Sequence, residues 1–464
     1  MKKVLCFLFA LVILLTSLTV FVGKSLFDES ENVTYRLVDE WGDRQYLSGV
    51  TADFDFSYYT ILNWNSEFSP TGESKSTLTF DRWNKSSEGY RYNGLSSSGF
   101  GIHDLKFMNN ELNTALDELK AEAVNPGDIR TRTFMLRDYF EYYPIWFGLD
   151  LNDISIYWES GRGFDSAGKY NFSGITPSRG QAVTDTVSDY FRIPVTDDAS
   201  ITTTVHAGDR NSFSWRTSSK NEFDFFFYDA VFSDTVYFSF SNVLSTSDNG
   251  ETELADTSLI PGGYGIYALP YSENDINYEA LDTVYSVSSD STVKALFHDE
   301  KRNELYLSLY ENGRYTLHII DRDTMTDIAV FDLFECETGA YVRVAQYDDF
   351  FVFIKNETEF VIVKRENEVY SKAFSGVMPA EYVADRDYFH YNSKLAFDGE
   401  RLVVLTVEGA GDEEIKIMSI QPDIMVFTED GVQYYGKWVC SLGNPVTGVV
   451  IEDIRADAYS IRIS

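Results

Sequence analysis

From Val236 onward the chain repeats one short unit: an alternating apolar strand, a tight turn and a second strand, at intervals of about 45 to 70 residues. Val236-Tyr237-Phe238-Ser239-Phe240 is followed by Gly265-Ile266-Tyr267-Ala268-Leu269. Leu305-Tyr306-Leu307-Ser308-Leu309 runs through Asn312-Gly313 into Tyr315-Thr316-Leu317-His318-Ile319. Phe350–Ile354 precedes Phe360–Val363, and Leu402–Leu405 precedes Ile415–Ile420. A third strand trails some of these, as at Asp327–Phe331. A small antiparallel sheet of this kind cannot bury both faces alone, and radial packing against copies of itself is the economical solution. The expectation is therefore an all-β, β-propeller-like domain. A set of β-sandwiches is the rival, but it would show even strand spacing without the longer period.

Between residues 35 and 220 the period is blurred, with Trp64, Trp83, Trp146 and Trp158 scattered through irregular strand-like runs. One helix interrupts them. Leu112, Ala115, Leu116, Leu119 and Ala123 recur at helical spacing, which predicts a helix over 110–124, capped by Asn110 and stopped by Asn125-Pro126-Gly127. No Pro- or Gly-rich linker divides the chain, so residues 31–464 read as one large β body.

Residues 1–30 read differently. Residues 4–23 contain no charge and follow Lys2 and Lys3. A helix of that length rises about 30 Å, the thickness of a bilayer core. The lysines place its start in the cytoplasm, and the acidic run Asp28, Glu29, Glu31 emerges outside. The expected product is a single-pass cell-membrane protein with a large extracellular domain. A cleaved leader ending after Gly23-Lys24-Ser25 is the alternative.

The body is strongly acidic, with 73 Asp and Glu against 38 Lys and Arg and a formal net charge of −35. Nucleic-acid binding needs clustered cations and is excluded. Repulsion also disfavours anionic lipid or wall polymer. Partners left open are a protein or a small ligand outside the cell. Of three cysteines, Cys6 lies in the apolar segment, while Cys336 and Cys440 form either one disulfide or two buried thiols.

Chemistry-bearing patterns are sparse. His103, His206, His298, His318 and His390 show no ligand spacing, so no metal or other cofactor is expected. There is no phosphate loop and no nucleophile elbow. Asp321-Arg322-Asp323-Thr324 reads as a turn, and Asp53 and Asp55 alternate with Phe54 and Phe56 as one wet face of a strand. Asp385 and Asp387 lack the remaining ligands of a calcium loop.

Two resemblances bear on function. Phe191-Arg192-Ile193-Pro194 resembles the F-R-I-P element of the sialidase family. Thr246-Ser247-Asp248-Asn249-Gly250-Glu251-Thr252-Glu253 resembles that family's Asp-box, with Glu253 in place of its Trp. That resemblance implies a glycoside hydrolase in which Arg192 binds a substrate carboxylate. It places neither a Tyr nucleophile with its Glu partner nor the two further arginines. More broadly, Trp41–Arg44, Leu47–Val50, Leu136–Pro144 and Tyr190–Pro194 look like segments of single-span surface proteins of Gram-positive bacteria. That likeness implies location and build, and transfers no catalytic residue. The leading expectation is a non-enzymatic, membrane-anchored binding or interaction domain. The alternatives are the sialidase-like hydrolase and an accessory subunit of a membrane complex.

Overall fold

A computed structural model describes residues 11–18, 20–21, 35–58, 62–69, 74–79, 94–96, 109–144, 148–151, 154–158, 170–173, 177–208, 212–221, 223, 227–244, 253–272, 275–337, 339–356, 358–378, 393–412, 417–440 and 454–463. The body is all-β and divides into two compact units, one built from 89–340 and one from 1–88 with 341–464.

In the unit built from 89–340, the repeat appears as a four-stranded antiparallel meander. Thr292–Asp299, Glu304–Glu311, Arg314–Asp321 and Thr326–Glu335 pair in chain order. The Asn312-Gly313 turn sets its register. Both residues have positive φ, 50° and 77°, the backbone that a two-residue hairpin needs to follow strand twist. Asp321 serves the next turn as expected: its Oδ1 accepts from the Thr324 backbone N–H and hydroxyl, each at 2.8 Å. A second sheet joins Phe227–Val231, Thr235–Phe240, Gly265–Ser272 and Asp282–Ser286. Arg322 reaches from the first sheet to the second. It pairs with Asp234, donates to the Tyr237 hydroxyl at 3.0 Å and lies 4.3 Å from the Phe232 ring.

A third sheet orders Phe213–Lys220, Ser200–Ala207 and Ile129–Met135. Its middle strand buries alternate residues, so Ile201, Thr203, Val205 and Ala207 face inward. The expected helix, α1, spans Asn110–Ala121 and buries Leu112, Leu116 and Leu119 in the same core as Phe134 and Val205. Its cap is Asn109, one residue earlier than expected, whose Oδ1 accepts from Glu111 N at 2.9 Å and Leu112 N at 3.0 Å. A second and longer helix, α2, spans Pro177–Tyr190 and corrects the expectation that 110–124 is the principal helix.

Among the described residues the other unit contains three sheets. Val342–Gln346, Phe350–Lys355, Glu359–Glu366 and Val369–Val377 form a meander in chain order. Lys394–Phe397, Leu402–Asp412, Ile417–Thr428 and Gly431–Cys440 form another, and Tyr35–Gly42 from the opposite end of the chain adds a fifth strand against Gly431–Cys440. In the third sheet Ile454–Ile463 pairs with Val50–Tyr58, which continues to Leu62–Phe68 and Ser74–Thr79. N- and C-terminal segments are thus joined twice. Beneath them Phe54, Phe68 and Trp438 share one core, with the Phe68 and Trp438 rings stacked 5.3 Å apart. Asp53, on the wet face of its strand, pairs with Arg462 at 3.2 Å.

Residues 11–18 and 20–21 are helical, and every one of their described side chains is exposed. Among the described residues no helix is long and apolar enough to cross a membrane; part of the expected 4–23 span lies outside them. Cys336 is half-buried, while Cys6 and the Cys440 side chain lie outside the described residues.

Candidate binding cleft

Two of the motifs singled out in the sequence meet. As α2 ends, Phe191 N donates to Val187 O at 3.0 Å and the chain turns into an extended stretch. There Phe191, Ile193 and Val195 are buried, while Arg192 points to solvent. This stretch lies antiparallel to the 136–144 segment. Tyr143 N donates to Ile193 O at 2.8 Å, Val195 N to Glu141 O at 3.1 Å, and Tyr142 bridges to Pro194. The Phe191 ring fills an aromatic cage, 4.6 Å from Tyr267, 5.0 Å from Tyr190, 5.6 Å from Phe240 and 5.8 Å from Phe238. All four are edge-to-face contacts, a favoured geometry for aromatic pairs.

A buried polar tether fixes the pair of segments. The Tyr143 hydroxyl donates to Asn221 O at 2.6 Å and accepts from Thr196 N at 3.4 Å. Asn221 has φ 49° and is almost wholly buried. Its side-chain amide donates to Asp198 Oδ1 at 3.0 Å and to Glu253 Oε2 at 2.8 Å. Lys220 pairs with Asp198 at 2.9 Å. Hydrogen bonds from Lys220 and then Asn221 hold the Asp198 carboxyl below the usual range. Removing the Tyr143 hydroxyl strands a buried carbonyl, so Tyr143→Phe is expected to lower stability by about 1–3 kcal/mol. Urea denaturation of Tyr143→Phe beside Tyr142→Phe checks this, because the Tyr142 hydroxyl serves no such tether; equal losses would contradict it.

On the outer side of these segments lies an open cleft of about 460 Å³. Its floor and walls include Tyr139, Phe140, Tyr142, Pro194 and Val195, and Leu259 closes one side while remaining 50% exposed. Arg137, Asp138 and Glu141 bring charge to the rim. Arg137 pairs with Asp197. Arg192, next to the cleft, pairs with Asp189 at 2.8 Å and lies 5.9 Å from the Tyr142 ring. A hydrogen bond with Glu141 pushes the Tyr142 hydroxyl pKa up, and burial does the same for Tyr139.

Arg192 is therefore exposed and tied to an acid three residues before it. The arginine nearest in the cleft lining, Arg137, has its own carboxylate, so the described residues bring no arginine trio together. Residues 246–252 of the Asp-box resemblance lie outside the described residues, and Glu253 belongs to the Asn221 tether.

The described histidines stay apart. His206 sits in the Ser200–Ala207 strand, and His298 lies 4.8 Å from the Phe232 ring. His318 stands between Glu311 and Asp327, each at 3.3 Å. His103, His390, Asp385 and Asp387 lie outside the described residues. Among the described residues no group of three or more acidic, His or Cys side chains is placed to hold a metal ion.

No family model and no curated relative matches the chain. Solved structures similar to it include the N-terminal domain of Nup159, at 13% identity over 51% of this chain and 58% of that one, with TM-score 0.25. The WD40 domain of SCAP from fission yeast is 10% identical over 56% of this chain and 65% of that one, with TM-score 0.26. A putative 6-phosphogluconolactonase from Bacteroides uniformis is 10% identical over 88% of this chain and 99% of that one, with TM-score 0.25. The chain thus spans little more than half the length of the Nup159 domain. What the strand pairing itself defines is an all-β protein of repeated antiparallel meanders with a surface cleft at 137–142 and 194–195.

Proposed function

We propose that this chain is a membrane-attached, extracellular binding protein. Its four-stranded meanders are propeller-type blades, and the cleft beside Tyr142 takes a protein partner without chemical turnover. The observation that carries the reading is the composition of that cleft. Tyr139, Phe140, Tyr142 and half-exposed Leu259 present apolar surface beside Arg137 and Arg192. Aromatic and arginine side chains concentrate at the energetic centres of protein interfaces. The cleft volume is within the range of sites that engulf a ligand group. Membrane attachment is supported by the uncharged 4–23 segment and by exposed Leu, Val, Ile and Phe side chains on its helical residues.

A photoreactive side chain placed at Leu259 in the full chain tests the reading in cells that make it. The expected outcome is one defined crosslinked protein from Leu259 and none from a control position, Val369, which is 64% exposed. The same product from both positions, or none from Leu259, would count against it.

A further inference from the structure

The charges around the cleft do not balance. Arg137 is answered by Asp197, and Arg192 by Asp189. That leaves Asp138 and Glu141, both exposed and both on the cleft lining, with no ion pair of their own among the described residues. Among the described residues the Glu141 side chain bonds to its neighbour, the Tyr142 hydroxyl, and feels the charge of Arg192 at longer range. Four carboxylates thus face two guanidinium groups, and the vacant ones lie directly beside aromatic rings. An aromatic face with adjoining carboxylates favours a cation, and favours guanidinium most, because it is planar and weakly hydrated. The Tyr142 ring already carries one guanidinium, that of Arg192, at 5.9 Å.

We infer that the cleft binds an arginine-bearing segment of a protein partner. The guanidinium lies over the Tyr139 and Tyr142 rings with Asp138 and Glu141 as counter-charges, and the side-chain stem and its neighbours cover Phe140, Pro194 and Leu259. This rests on the binding reading of the same cleft and specifies its occupant. A peptide segment suits the site better than a small cation, because Phe140, Pro194, Val195 and Leu259 line the cleft together with the carboxylates. The net charge of −35 steers a basic partner toward the protein and speeds encounter at low salt.

Fluorescence anisotropy of the full chain in detergent, with a labelled Gly-Ser peptide holding a central arginine, provides the test. The same peptide with citrulline, which keeps the shape and removes the charge, is expected to bind about tenfold more weakly. The Asp138→Asn, Glu141→Gln double variant should reduce the arginine peptide to the citrulline level. A lysine peptide should fall between the two. Equal affinity for arginine and citrulline peptides, lost together on Tyr139→Ala, would overturn the cationic occupant and leave the binding cleft standing. Free arginine amide binding as tightly as the peptide would overturn the protein segment. No binding of any peptide would also overturn the inference, and crosslinking from Leu259 would then show separately whether the cleft has another partner.

Discussion

Replacing Phe191 by alanine is expected to destabilise the protein by about 3–5 kcal/mol, the usual cost of emptying a large aromatic site in a rigid core. The ring has no exposed surface and touches its chain neighbour Tyr190, Phe238 and Phe240 on one strand, and Tyr267 on another. Those segments are fixed by strand hydrogen bonds and by tethers such as the Tyr190 hydroxyl, which donates to Pro261 O at 3.0 Å. The cage can therefore collapse only partly. Arg192→Ala, one residue away, should change stability by no more than about 0.5 kcal/mol, because its ion pair is exposed on both sides. Urea denaturation of the two variants checks the contrast. A loss below about 1 kcal/mol for Phe191→Ala would mean that the F-R-I-P stretch does not anchor the cleft as described.

Gly42→Ala should be costly for a different reason. Gly42 ends the strand that joins the beginning of the chain to Gly431–Cys440, and its φ is 87°, which L side chains rarely adopt. A Cβ there would also stand 2.1 Å from the Gln433 carbonyl oxygen and 2.8 Å from Tyr434 Cα. Both obstacles are backbone, so no side chain can swing aside. The conformational strain and the forced separation of the strands together make a loss of about 2–4 kcal/mol the expected result. Hydrogen exchange should report it locally, with faster exchange at Val38, Asp39 and Tyr435 than in Phe350–Lys355, which belongs to another sheet. Unchanged exchange in the paired strands would contradict the described junction.

Much of the strand framework is legible in the sequence because it is local. Asn312-Gly313 dictates its hairpin, and the alternating run Val236–Phe240 marks the Thr235–Phe240 strand. Helix α1 is legible from the spacing of Leu112, Leu116 and Leu119. Helix α2 is not, since Pro177, Gly180 and scattered Ser, Thr and Asp give it weak propensity and no clear apolar stripe. The pairing of Tyr35–Gly42 with Gly431–Cys440 is also hidden, because nothing in either strand names a partner nearly 400 residues away.

The cleft was legible in part. Arg192 and the Leu136–Pro144 and Tyr190–Pro194 motifs stand in the sequence as separate segments, and nothing local encodes the bridge from Tyr142 to Pro194 that joins them. Leu259 carried no signal at all. It stands in a turn, and only the fold brings it beside Tyr139 and Tyr142. Arg192 is the exposed member of a packing motif. Its alternation with buried Phe191 and Ile193 explains the motif through packing, while the guanidinium itself pairs with Asp189 in solvent.

Release of a fluorescent group from a sialoside by the purified full chain, measured for the wild type and for Arg192→Ala, tests most directly whether this site binds without turnover. The binding account predicts no release above the uncatalysed rate from either protein. Sustained release by the wild type that disappears in Arg192→Ala would contradict it and establish Arg192 as a substrate-binding residue of a glycoside hydrolase.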